Sequence, residues 1–348
     1  MVTIKDIAKN LGVSYSTVSR CLNSCPNVSA VTKQKVEEEA ERLGFCFNVN
    51  ARNLVKKKTS RIGVIFSDDY NREDDSRRFF GDAMEAAIRA IESNKYDFVI
   101  QPNHSILGES NILRMVSGQN VDGLIIASKD ISEKEYNFLV NNNFPHVFIF
   151  FKPKFIDEKK NNFFWDDNVY GGYIATKYLI DKGHRDILSI TSVQKDSNIY
   201  YDRTRGYIDA MNDAGLNPKL ISTEIDFKSQ QEFVAKNIDE LKKYTAIFVQ
   251  QDVPAVSISQ ELKLVHGVRI PEEMSIISYN NIELIDYFKA GLTTIDDKRQ
   301  IVIQNAVDCL VDRVEKLDVD DYERVQRPSI IERTSVEALN ELEKAVND

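Results

Sequence analysis

The side chains able to do chemistry lie in two separate parts of this 348-residue chain. Near the N-terminus, Ser14, Tyr15, Ser16, Thr17, Ser19 and Arg20 gather hydroxyls, a phenol and a guanidinium in one short stretch. An arginine can donate two hydrogen bonds to guanine O6 and N7, and hydroxyls bond phosphate oxygens, so this grouping suits nucleic acid. Farther along, polar clusters follow apolar runs: Ser67-Asp68-Asp69-Tyr70, Gln250-Gln251-Asp252 and Tyr279-Asn280-Asn281. Their carboxylates and carboxamides could bridge the hydroxyls of a small ligand. Each cluster alone is equally what a turn or a helix cap requires. No GxSxG or HExxH motif is present, and nothing marks a pair of carboxylates as acid and base, so catalysis is not expected. The absence of a Gly-rich dinucleotide fingerprint or Walker A sequence argues against a nucleotide cofactor. His104, His146, His184 and His266 are scattered, and Cys21, Cys25, Cys46 and Cys309 form no CxxC. A metal site is therefore not expected, and the thiols read as free in a reducing cytoplasm.

The elements that must position these residues are legible from periodicity. Ile4, Ile7, Ala8 and Leu11 form one helical stripe. Gly12 supplies a tight turn, and Ser14 can cap a second helix over 15–22 that turns Val18 and Leu22 inward. A third helix, capped by Ser29, carries Val36, Ala40 and Leu43 and stops at Gly44. Two helices joined by a glycine turn, the second polar near its start, describe a helix-turn-helix. Charge agrees: residues 1–60 hold ten Lys/Arg and five Asp/Glu, whereas the other 288 carry a net −14. A basic head on an acidic body is the footprint of a nucleic-acid reader joined to something else.

From Arg61 onward, short apolar runs (RIGVIF, YDFVIQ, DGLIIA, HVFIFF, DILSIT, AIFVQ, MSIISY) alternate with amphipathic stretches near 78–93, 108–118, 169–182 and 203–213. Alternation of this kind predicts parallel sheets covered by helices, and so long a stretch predicts two such lobes. Ligands in these folds sit beyond the carboxyl ends of the strands, where the polar clusters fall. No apolar run is long enough to span a membrane. Lys5 and Asp6 stand where a Sec-type signal peptide needs apolar residues, so a cytoplasmic protein is expected.

The run VTIKDIAKNLGVSYSTVSRCLN, continued by Val28-Ser29, Thr32 and Asn50-Ala51-Arg52-Asn53-Leu54, resembles the N-terminal signature of the LacI/GalR family of bacterial transcription regulators. The resemblance extends over 61–335 through Asp167-Asn168 before Gly171-Gly172, LIDKGHRDI, GLTTIDDK and RPSIIERTSV. It implies a three-helix helix-turn-helix DNA-binding domain plus an α/β two-lobed, periplasmic-binding-protein-like effector domain. By this likeness Tyr15, Ser16 and Arg20 meet base edges, and Thr3, Ser14, Thr17, Ser19 and Asn23 meet phosphates. For Tyr15 the alternative is a core-edge aromatic. Residues 48–56 resemble the family's hinge helix, with Asn50 and Ala51 on DNA and Leu54 as an apolar wedge between base pairs; Leu54 could instead pack on its own domain.

In the body the likeness places Asp167, Arg203, Phe227, Gln251 and Asn280 on ligand positions, beside Asp68 and Tyr70 of the first polar cluster. Carboxylates, carboxamides and an aromatic face suit a carbohydrate. Gln251 and Asn280 depart from the Asn and Asp common at these positions, and Gly291 stands where proline is frequent, which leaves the sugar open.

The implied organisation is a DNA-binding domain over 1–47, a hinge over 48–60, the effector and dimerisation domain over 61–335 and a tail over 336–348. The implied function is a homodimeric repressor of carbohydrate-utilisation genes that binds double-stranded operator DNA under control of a sugar-like effector, with no cofactor. Two alternatives remain: control by a phosphorylated carrier protein, which would need an exposed acceptor patch the sequence does not mark, and a solute-binding protein, against which the basic head argues. If Leu54 is the wedge, Leu54→Ala will weaken operator binding in fluorescence anisotropy while leaving thermal stability and ligand binding unchanged; an unaltered operator affinity would exclude that role.

Overall fold

The computed structural model describes residues 2–22, 28–45, 58–68, 76–153, 155, 162–193, 198–224, 226–287, 291–318 and 322–339. Asn23, Asn50, Ala51, Leu54 and Tyr70, and most of the expected hinge, lie outside the described residues. Contacts divide the chain between Thr59 and Ser60, and the two units are described separately.

The first unit contains α1 (Ile4–Leu11), α2 (Tyr15–Leu22) and α3 (Ala30–Arg42). Thr3 opens α1, its backbone N–H and hydroxyl donating to Asp6 Oδ2 at 2.8 and 2.7 Å. Gly12 closes it in the left-handed region at φ 64°. The Ser14 hydroxyl accepts the Thr17 N–H at 3.1 Å and so starts α2, while Ser29 accepts the Thr32 N–H at 3.2 Å and starts α3. Ile7, Ala8, Val18, Cys21, Val36 and Ala40 form the core. Leu22, one turn from Val18, packs half-buried against this core as expected, and Cys21 is buried beside it. Asn10 Nδ2 donates to Glu39 Oε1 at 2.8 Å and ties α1 to α3.

The second unit holds two sheets. In the first lobe, β1 (Arg61–Phe66), β2 (Asp97–Pro102), β3 (Gly123–Ala127), β4 (His146–Ile149), β5 (Phe163–Asp166) and β11 (Val325–Gln326) run in the order β11-β5-β4-β3-β1-β2, all parallel. The second lobe contains β6 (Ile187–Ser192), β7 (Lys219–Thr223), β8 (Ala246–Val249), β9 (Ser275–Tyr279), β10 (Thr293–Asp296) and β12 (Ser329–Ile331). Their order is β12-β10-β9-β8-β6-β7, and only the short β12 pairs antiparallel. The central strands are buried on both faces, as parallel sheets require.

The helices are α4 (Ser76–Ser93), α5 (Asn111–Ser117), α6 (Glu133–Asn141), α7 (Asn168–Asp181), α8 (Asn198–Asp213), α9 (Phe227–Leu241), α10 (Asp252–Leu264), α11 (Leu284–Tyr287) and α12 (Arg299–Glu315). The sequence-based starts near 108 and 203 shift: α5 begins after its cap Ser110, and α8 begins five residues earlier than expected.

The chain passes between lobes three times. β5 of the first lobe leads into α7, whose Ala175 and Leu179 pack on the second sheet. β10 leads into α12, whose Val302, Ile303, Ala306 and Leu310 pack back on the first. β11 then leads to β12. The expected tail boundary at 336 is not a structural break, since Val336 packs on the second lobe and the Leu339 N–H donates to Lys182 O at 2.9 Å. Gly291 has φ 60°, and a Cβ there would lie 2.2 Å from Thr334 Oγ1, which explains why this chain does not use proline at that position.

α7 and α8 meet backbone to backbone. A Cβ on Gly206 would fall 2.0 Å from Val169 O, and one on Gly172 would fall 2.2 Å from Arg203 O. Gly206→Ala is therefore expected to destabilise the second unit by about 1–3 kcal/mol in a chemical unfolding curve. Gly81→Ala, on an exposed face of α4 with nothing within 4 Å, should be neutral or slightly stabilising.

Candidate functional site

On the first unit, α2 buries Val18 and Cys21 and turns the opposite face outward. Thr3, Ser14, Ser16 and Arg20 are exposed, Thr17 and Ser19 half-buried, and Tyr15 is 55% exposed, so Tyr15 is not a core-edge aromatic. The Ser14, Ser16 and Thr17 hydroxyls form one cluster, with Ser14 Oγ 2.7 Å from Ser16 Oγ and 2.8 Å from Thr17 Oγ1. A phenol, a guanidinium and this hydroxyl cluster thus share one end of a helix whose other face is fixed in a core. That is the arrangement base-edge and phosphate contacts need.

On the second unit, the expected ligand residues separate into those the fold gathers and those it does not. Arg203 is at the centre, 3% exposed on α8. Its Nε donates to Asn168 Oδ1 at 2.7 Å and its Nη1 to Gln250 O at 2.5 Å, while its Cζ lies 3.6 Å from the centroid of the Tyr279 ring. Among the described residues no partner engages Nη2. Asp167 adjoins Asn168 and caps α7, its Oδ1 accepting the Tyr170 N–H at 2.9 Å. Gln251 follows Gln250, and its Oε1 accepts the Tyr200 hydroxyl at 2.8 Å. Asn280 follows Tyr279, and its Nδ2 donates to Asp297 Oδ2 at 2.8 Å. Asp167, Gln251 and Asn280 are thus each next in sequence to a residue that holds the Arg203 guanidinium.

Asp68 belongs to a different group. Its carboxylate accepts the His104 backbone N–H and faces His104 Nδ1, both at 2.7 Å, which fastens the turn after β1 to the turn after β2. Phe227, 55% exposed at the start of α9, touches none of the others. Nor do the gathered residues share one closed cavity. Gln251 and Tyr200 line a recess of about 10 Å³, room for a single water, whereas Asn280 borders an open cleft of about 710 Å³ with Asp82, Asp297 and Arg299.

Burial sets the electrostatics. The Asp166 carboxyl is raised to about 6 by burial and by the neighbouring Asp297, against the pull of Arg203 and the Tyr279 hydroxyl. Burial also raises Asp252 to about 6, although Ser278, Thr294 and the Ile282 N–H all donate to it. Asp252 is thus fully committed inside its own lobe, and Gln250, bonded to Ser189, Thr191 and Thr204, is likewise a structural residue. Of the polar cluster 250–252, only Gln251 faces outward.

Comparison with known proteins finds two family matches in the chain. Residues 3–48 match the model of bacterial regulatory proteins of the lacI family, and residues 176–336 match a periplasmic binding protein-like domain. The HTH-type transcriptional repressor PurR of Aliivibrio fischeri strain MJ11 is 32% identical, across 97% of this chain and 98% of that protein. This chain belongs to the LacI family. It is a helix-turn-helix transcriptional repressor.

The fold agrees with solved structures. The lac repressor dimer bound to operator and the anti-inducer ONPF has a TM-score of 0.76 at 21% identity, over 97% of this chain and 99% of that one. A complex of the transcriptional regulator CelR with cellobiose has a TM-score of 0.66 at 22% identity, over 96% of this chain and 100% of that one.

Sequence reasoning missed four residues of this regulator's junction: Asn168, Tyr200, Tyr279 and Asp166. Tyr279 and Asn168 each adjoin a residue singled out for the ligand. A Cβ on Gly171 would lie 2.1 Å from the Tyr279 hydroxyl oxygen.

The raised acids have a signed consequence. Their folded-state values lie above the ordinary carboxylate value, so the stability they contribute is full in acid and is lost as pH rises through about 6. His184, whose value burial lowers, acts in the opposite sense over the same range. Comparison with Asp166→Asn isolates the acid: as pH falls from about 7.5 to about 5, the wild type should gain stability relative to the variant in urea unfolding.

Proposed function

We propose that this repressor recognises operator DNA as a homodimer through the outer face of α2, and that a small polyhydroxylated ligand held at Arg203 controls its operator affinity. The observation that carries the ligand site is the buried Arg203 guanidinium, oriented on three sides and left with an uncommitted donor. Burying a cation costs several kcal/mol unless its hydrogen bonds are made, so a fold that keeps one incompletely satisfied favours a ligand there. Asp167, Gln251 and Asn280 add acceptors and donors of the kind that bridge hydroxyls. The site is read as binding and not catalytic: Asp166 and Asp252, the two carboxyls raised to about 6, are buried and committed to groups of the fold, and neither lines the open cleft. A two-fold dimer would present two α2 helices to two half-sites.

The test is a thermal-shift screen with mono- and disaccharides, sugar phosphates and purines, followed by anisotropy on selected operator DNA. A ligand at a hundred times its dissociation constant adds about 2.7 kcal/mol of stability. Arg203→Ala should erase the shift and the ligand response while operator affinity persists. A purine hit would replace the carbohydrate assignment, and a full response in Arg203→Ala would remove Arg203 from the site. Arg20→Ala should cost about 1–3 kcal/mol of operator binding if the guanidinium reads a base.

A further inference from the structure

The Tyr279 side chain has two unlike attachments. Its ring carries the Arg203 guanidinium, with Cζ 3.6 Å from the centroid. Its hydroxyl donates to Asp166 Oδ2 at 3.1 Å, in a fully buried contact. Tyr279 ends β9 of the second lobe, and Asp166 ends β5 of the first. The hydrogen bond therefore joins the lobes at the point where β5 crosses into α7.

The fit around the hydroxyl is built for it: α7 has Gly171 where any side chain would collide with the oxygen. A phenylalanine would fill the same ring volume and stack equally well on Arg203, so packing alone does not account for the hydroxyl. Burial and the nearby Asp166 push the phenol well above its ordinary value, so it remains a donor throughout the physiological range. Asn168 strengthens the same joint, donating from Nδ2 to Asp166 O at 3.1 Å while its Oδ1 accepts from Arg203.

We propose that Tyr279 is a positioning residue that makes the ligand site and the interlobe crossover one unit, fixing Arg203 with its ring and the end of β5 with its hydroxyl. The proposal rests on reading Arg203 as the ligand site. A ligand that shifts the guanidinium then shifts the ring, and through the hydroxyl it reaches the other lobe without itself having to touch Asp166.

Hydrogen exchange followed by mass spectrometry on the full, ligand-free chain tests this. Tyr279→Phe should accelerate exchange of amides in 163–168 by about tenfold, the size of effect that loss of a hydrogen bond to a charged acceptor produces. Amides of β3, in the same sheet but remote from the crossover, should exchange as in the wild type. Arg203→Ala should accelerate the same 163–168 amides, and the double variant should fall short of the sum, because both changes cut one connection. Asp166→Asn keeps an oxygen for the Tyr279 hydroxyl but removes the charge, and should accelerate the 163–168 amides less than Tyr279→Phe does.

Wild-type exchange at 163–168 in Tyr279→Phe would overturn the proposal. So would equal acceleration throughout both sheets, which marks a general loss of stability, or strict additivity, which would assign the Arg203 effect to Asn168 alone. No ligand enters the measurement, so an empty ligand screen and a failure of this coupling are separate results.

Discussion

The Arg203 guanidinium, charged and almost wholly removed from water, is the constraint around which the second unit is organised. An isolated buried cation is too costly to keep unless its environment supplies hydrogen bonds and negative potential. Here those come from four elements: Asn168 at the start of α7, the Gln250 carbonyl at the end of β8, the Tyr279 ring at the end of β9 and the Asp166 carboxylate at the end of β5. None of these can move far without exposing the cation or leaving it unsatisfied. The glycines of α7 and α8 follow from the same demand, since only residues without a Cβ let the two helix backbones approach closely enough to seat Arg203 there.

This explains why the junction of the lobes is polar although both lobes have hydrophobic cores. Each sheet is flanked by its own hydrophobic clusters. Three crossovers run between them, and two carry acidic pairs: Asp166-Asp167 at the end of β5, and Asp296-Asp297 at the end of β10, where Asp297 is clamped by Arg299 and Asn280. The third crossover is tied to the first by the Asp167 N–H, which donates to Gln326 O at 2.9 Å. Hydrogen bonds and charges define a geometry more sharply than apolar contact, and they can be rearranged by a polar ligand, which an apolar seam cannot.

The first unit solves the opposite problem. Its task needs polar groups held outward, so its three short helices spend their few apolar residues on one small core and present hydroxyls, a phenol and a guanidinium to solvent. Capping by Thr3, Ser14 and Ser29 matters more here than in the body, because helices of this length have little else to stabilise their ends.

Much of this was legible in the residues alone. The helical stripe from Ile4 to Leu11, the turn at Gly12 and the cap at Ser14 announced the helix-turn-helix, because caps and periodicity act over a few residues. The alternation of apolar runs and amphipathic stretches announced two parallel sheets for the same reason. What such patterns could not reveal is which polar residues remain available once the chain has folded. Asp68 and Asp252 have the same chemistry as Asp167, yet the first is fastened to His104 and the second is consumed by Ser278 and Thr294, partners twenty-six or more residues away. Tyr279 reads only as one member of a polar cluster after an apolar run until Arg203 and Asp166 are brought to its two ends. Local sequence dictates the elements and the kinds of group they carry; availability, charge state and partnership are set by burial and by neighbours distant along the chain, and these exist only in the packed fold.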